Sequence, residues 1–153
     1  MLPAIQYLPE FVEDSHAYYW QGVRKISVTQ VLDLAGNKTK FFKGDHRDRG
    51  TAIHYVACLL DHGELDEQEF FRLDAELPEA QQIGGYVRAY QRFLNDCRPE
   101  VIYSEQAIYS PSIDICGTLD RGLEMLGSEG ILDIKTGSLP PETSIQTAGY
   151  GYL

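Results

Sequence analysis

The chain has 153 residues, with 13 Lys+Arg against 23 Asp+Glu, a formal net charge of −10 and a sequence pI of about 4.7. An apolar share of 43% with 11% aromatics can fill one packed core, which excludes a disordered chain, and the acidic balance excludes a histone-like protein that holds nucleic acid by charge alone. No apolar run approaches the ~18 residues of a membrane span, and MLPAIQYLPEFVEDSH has neither a basic start nor a long apolar stretch, so no membrane contact is expected and the cytoplasm is the expected compartment.

The charge is unevenly spread. Arg24 to Arg49 holds seven basic residues against three acids, whereas Asp61 to Gln82 holds eight acids against Arg72 alone. Cys58, Cys97 and Cys116 are far apart and form no CxxC pair, so they read as reduced structural thiols and not as ligands of zinc or an iron–sulfur cluster.

In chain order, AYYWQGVRKISV reads as two short strands about a Gln21-Gly22 hairpin turn, with Tyr18, Tyr19 and Trp20 as packing residues. SVTQVLDLAG reads as a short helix with Ser27 or Thr29 as N-cap and Gly36 as its stop, and NKTKFFKGDHRD as a basic loop. RGTAIHYVACLLDHG is predicted helical from Ile53, Val56, Ala57 and Leu60, and GELDEQEFFRLDAELPEA to hold a short acidic helix. QQIGGYVRAYQRFLNDCRPE is predicted as a further helix, stopped by Pro99. Three strands are then expected, VIYSEQAIY, SIDICGTLDRGLEML and GSEGILDIKTG, and a helix begins in TSIQTAGYGYL. This order predicts a single α/β domain with a small mixed sheet: residues 1–48 as hairpin, short helix and basic loop, and 49–153 as the core.

The chemistry-bearing stretch is Glu105 to Tyr150. In a strand, residues i and i+2 share a face, so ILDIKTG would project Asp133 and Lys135 together. Such a carboxylate can hold a divalent metal, and the ammonium can orient the attacking water or offset charge on a phosphate; an isolated DxK is more often a plain ion pair. Asp120, ending GTLD one hairpin upstream, would lie across a ~4.8 Å strand spacing from Asp133. With the backbone carbonyl of Ile134, these carboxylates make a hard oxygen site suited to Mg2+ or Mn2+, to which Glu105 would add a ligand or hold a bound water. His54 is a possible imidazole ligand beside them, although an isolated histidine on a helix is usually structural. Arg47 and Arg49 would meet phosphate oxygens, Gly117 would allow a close approach at the strand start, and Gln146 and Tyr150, at i and i+4 on one helix face, would hold DNA phosphate or lock Lys135.

The series RGTAIH, Glu105, GTLD, DIKTG and QTAGY resembles the RecB-type branch of the PD-(D/E)XK nuclease superfamily, which includes phage and prophage recombination exonucleases. The resemblance runs from Arg49 to Tyr150, two-thirds of the chain, and YYWQGVRKISVTQVL is similar to the opening of phage-type members. It implies a restriction-endonuclease-like core, with a central mixed sheet flanked by helices. It implies that His54 and Asp120 help bind metal, that Glu105 is the acid of the preceding core element, that Asp133 and Lys135 are the D/E-x-K pair, and that Gln146 and Tyr150 complete the site. The implied activity is Mg2+-dependent hydrolysis of DNA, with Mn2+ as a substitute, leaving 5′-phosphates, in phage recombination or repair. Clustered cysteines typical of iron–sulfur members are missing, so no cluster is expected. Members of the branch usually continue through a further core strand after the helix holding Tyr150. The C-terminally short chain is therefore expected to be a truncated product, or to be completed by its own oligomer or a recombination partner protein; the alternative function is a catalytically impaired or truncated nuclease fold that binds DNA or such a partner.

Overall fold

The structure, a computed structural model, describes residues 7–36, 44–137 and 142–153, with the backbone alone at 44–47 and 142. The elements are β1 (Glu10–Val12), β2 (Ala17–Trp20), β3 (Val23–Ser27), α1 (Val28–Leu34), α2 (Gly44–Asp61), α3 (Glu67–Glu76), a 3-10 turn at Glu79–Gln81, α4 (Gly84–Cys97), β4 (Glu100–Ser110), β5 (Ile115–Met125), β6 (Ser128–Leu132) and α5 (Glu142–Tyr150). They form an α/β fold around one six-stranded sheet in the order β1-β2-β3-β5-β4, with β6 also paired to β5. The sheet is mixed because β3 runs parallel to β5, with Ile26 opposite Ile115, while every other pairing is antiparallel.

The expected hairpin turn is present. Gln21 and Gly22 both have positive φ, 50° and 76°, which is what a two-residue turn needs to match the strand twist. The chain then passes from β3 directly into α1 through a capping box. Ser27 Oγ accepts from the Gln30 amide at 3.2 Å, and Gln30 Oε1 accepts from the Ser27 amide at 2.9 Å. Such a cap is worth about 0.5–2 kcal/mol, enough to fix where a seven-residue helix begins.

Three apolar clusters hold the molecule. Val28, Leu32, Ile108, Leu119 and Tyr150 join α1 and α5 to the sheet. Ile53, Val56, Ile83 and Val87 join α2 to α4, with Phe70 and Phe71 of α3 against them. Tyr18, Tyr109 and Cys116 form the third, where Trp20 stacks on Tyr109 at 5.2 Å between centroids, so the strand aromatics pack as expected. The N-terminus of α4 is capped from a distance: the buried Asp74 carboxylate accepts from the amides of Ile83 at 2.8 Å and Gly84 at 3.0 Å.

Several expectations are corrected. GDHRD is not loop but the first part of α2. The basic residues at 37–43 lie outside the described residues. α2 runs across position 48/49, and β3 pairs with β5 in the same sheet. DIK is not strand: β6 ends at Leu132, paired with Arg121, and residues 133–135 lie past the ladder. β1 was not expected. No helix among the described residues is long and apolar enough to cross a membrane.

Candidate metal centre

Two neighbouring strands and one helix bring the first three groups together. Glu105 is on β4, Asp120 on β5 and His54 on α2. One ligand atom from each lies within 4.8 Å of the other two. Glu105 has φ of 49°, an uncommon left-handed conformation for a residue with a Cβ, where about 1–3 kcal/mol of strain is typical. The β4–β5 register passes from Ser104–Arg121 to Gln106–Leu119, so Glu105 and Asp120 occupy the unpaired step between them. From that step the Glu105 carboxylate reaches the imidazole of His54.

Both ring nitrogens of His54 face oxygen. Nδ1 is 3.0 Å from Glu105 Oε1 and 3.7 Å from Asp120 Oδ1, while Nε2 donates to the Ile134 carbonyl at 3.1 Å. Two acceptors favour the doubly protonated ring. Burial opposes that charge, but the Glu105 hydrogen bond, the Asp120 and Glu105 charges and the Ile134 carbonyl outweigh it and raise the His54 pKa. Burial also pushes the Glu105 carboxyl up, and His54 and Arg121 together overcome it, holding Glu105 below its ordinary value. Asp120 goes the other way. Burial above all, with the Asp133 and Glu105 charges, lifts it to about 7 against the opposing pull of His54 and the Ile134 amide. A partly buried carboxyl that resists ionising beside an imidazole that resists losing its proton is a site short of positive charge.

The segment past β6 supplies the second group. Ile134 donates its amide to Asp120 Oδ2 at 2.6 Å, which ties it to β5 where the ladder has ended. Asp133 and Lys135 do project together, with Lys135 Nζ 3.1 Å from Oδ1 and 2.8 Å from Oδ2. Oδ2 of Asp133 is buried and has Lys135 as its charge partner, but the contact is not aligned as a hydrogen bond; we take it as an ion pair. Lys135 also donates to Gln146 Oε1 at 3.3 Å, and Gln146 Nε2 donates to the Tyr150 hydroxyl at 3.0 Å. Burial pushes Tyr150 up to about 12, so it stays a neutral phenol. A Cβ on Gly117 would stand 2.8 Å from Tyr150 Cε1 and from Leu153 Cδ1; the close approach that this glycine permits is that of α5.

The expected residues thus fall into two adjoining sets. His54, Glu105 and Asp120 converge, with the Ile134 carbonyl on His54. Asp133 lies outside that trio and holds Lys135, which reaches Gln146 and, through it, Tyr150. The Arg49 guanidinium lies 5.8 Å from the centroid of the Tyr86 ring on α4. The Arg47 side chain lies outside the described residues. A cleft of about 810 Å³ opens onto His54, Glu105, Asp120, Gln146 and Tyr150, walled across from them by Phe11, His16 and Tyr18.

Arg121 and Asp61 were not foreseen. Arg121 is fully buried and ion-paired through Nε to Asp61, which is itself 2% exposed. One signal was available: Arg121 sits between Leu119 and Leu123 at the same-face spacing of an apolar strand, and a cation buried there requires a partner.

The donor set fits a hard divalent cation. One imidazole nitrogen and two carboxylates offer mostly oxygen, the ligand class of Mg2+ and Mn2+, while the Ile134 carbonyl is taken by His54 Nε2, at the other edge of the ring from Nδ1. No protein-family model, no curated protein and no solved structure matches the chain.

Proposed function

We propose that the protein is a divalent-metal-dependent nuclease that hydrolyses DNA phosphodiester bonds, acting as an exonuclease in phage-type recombination or repair. The observation that carries this reading is the convergence of His54, Glu105 and Asp120 within 4.8 Å, next to a lysine held by an aspartate and an amide. The motif order from RGTAIH to QTAGY, which resembles RecB-type PD-(D/E)XK nucleases, supports it.

On this reading His54, Glu105 and Asp120 hold Mg2+ or Mn2+, which supplies charge for the phosphate and activates water. Asp133 fixes the position of Lys135. The ammonium orients the attacking water and offsets negative charge developing on the phosphate. Gln146 accepts from Lys135 and donates to Tyr150, so α5 limits the swing of the lysine. The bond broken is the one from phosphorus to the 3′ oxygen, which leaves a 5′-phosphate. None of these contacts needs a base edge, so little sequence preference is expected.

End-labelled linear duplex incubated with Mg2+, Mn2+ or chelator tests the proposal. Metal-dependent release of products carrying 5′-phosphate is expected. Folded protein that binds DNA and cleaves nothing would contradict it and favour a non-catalytic nuclease fold.

A further inference from the structure

We infer that Arg121 is the positioning residue of the metal centre, holding His54, Glu105 and Asp120 in register by acting chiefly through Glu105; this rests on the metal reading above. One guanidinium touches all three. Its Nη1 donates to Glu105 Oε1 at 2.8 Å and to the Asp120 carbonyl, and its Nη2 donates to the His54 carbonyl at 3.5 Å. The planar fork of an arginine can reach three elements at once, which a lysine's single nitrogen cannot.

The far side of the fork is fixed as firmly. Nε pairs with Asp61, and the Tyr90 hydroxyl lies 3.3 Å from Nε while donating to Asp61 at 2.6 Å. Ser104 donates at 2.9 Å to Oδ2 of that aspartate, the oxygen that Nε also meets, while Tyr90 holds Oδ1. α2, α4 and β4 therefore clamp the guanidinium before it meets the site.

Stability does not call for this arrangement. A buried ion pair gains little over well-packed apolar side chains of the same volume, because both charges must leave water. Leu119 and Leu123 on either side show that apolar residues fit this strand. What an apolar side chain could not do is donate to Glu105, whose left-handed backbone conformation needs an anchor at the end of its side chain. Asp61 neutralises the guanidinium, so the fork can hold Glu105 without adding an uncompensated charge beside the cation.

A double-mutant cycle on the full chain tests this, with free Mn2+ measured by electron paramagnetic resonance and the titration carried into the millimolar range. Arg121→Lys should weaken Mn2+ binding about 10–100-fold in the otherwise native protein, as expected for a residue that orients ligands. In a Glu105→Ala background the same change should cost less than about twofold, because alanine leaves Nη1 no side-chain acceptor at that position. A merely structural role would cost the same in both backgrounds. Equal losses, or native Mn2+ affinity in Arg121→Lys, would overturn the inference. Should Arg121→Lys fail to fold, Asp61→Asn loosens the fork from its far side and enters the same cycle with the same expected outcome. Absence of Mn2+ binding by the native protein would instead sink the metal reading itself.

Discussion

The backbone amide of Ile134 donates to Oδ2 of Asp120 at 2.6 Å, and the carbonyl of Ile134 accepts from His54 at 3.1 Å. A single residue, two positions past the end of β6, thus ties α2 and β5 together at the site. Asp120 both receives this tether and belongs to the proposed ligand trio, so Asp120→Ala removes two functions. With Mn2+ at about a hundred times its Kd, the native protein should gain about 2.7 kcal/mol. For a chain of this size that is roughly 5–10 °C in Tm. The Asp120→Ala variant should show no such shift in a thermal melt.

The metal-free protein should lose stability as pH rises from about 5 to about 7. Asp120 is lifted from 3.8 to about 7 by burial, so across that window the folded state holds a proton that the unfolded state has released. His54, also raised, adds in the same direction: its contribution is complete below the ordinary imidazole value and is lost as pH climbs through its higher folded-state value. The Asp120 part of that decline amounts to at most about 3 kcal/mol across the window, at about 1.4 kcal/mol per unit. Urea melts in chelator should show the decline, and Asp120→Asn should flatten it. Metal affinity should rise over the same window, because the cation replaces these protons.

Gly117→Ala should destabilise the protein by about 1–3 kcal/mol, because the added methyl lands 2.8 Å from Tyr150 and Leu153. It should also push α5 off β5 and pull Gln146 from Lys135. Activity should therefore fall further than the lost stability alone explains, while Mn2+ affinity changes little. Urea melts beside cleavage rates and Mn2+ titrations separate these effects.

Lys135→Ala should keep the Mn2+-dependent rise in Tm and lose activity by about 10²–10⁴-fold, since the lysine acts on water and phosphate and not on the cation. Loss of the thermal shift would move Lys135 from chemistry to structure.

The parts legible in the sequence were those governed by neighbours along the chain. The Gln21-Gly22 turn needs two positive φ angles and carries residues that tolerate them, and the box of Ser27 with Gln30 marks the start of α1. The DIK segment was harder to read. Its alternation of polar and apolar residues matches a strand, but the Ile134 amide bonds to a side chain instead of a ladder carbonyl. GDHRD reads as a loop because the stretch NKTKFFKGDHRD is polar and basic and shows no apolar stripe, and β1 is only three residues long, too short for a period to show. The role of Arg121 depends on three elements meeting, through Asp61 of α2, Tyr90 of α4 and Glu105 of β4, and none of those contacts is local in sequence.

The central claim is tested most directly by incubating native protein and Lys135→Ala with linear duplex, covalently closed circular and single-stranded DNA, each with Mg2+, Mn2+ or chelator. The account predicts metal-dependent loss of linear DNA by the native protein, circles spared, and Lys135→Ala inert. Equal cleavage by the two proteins, or cleavage that persists in chelator, would contradict it.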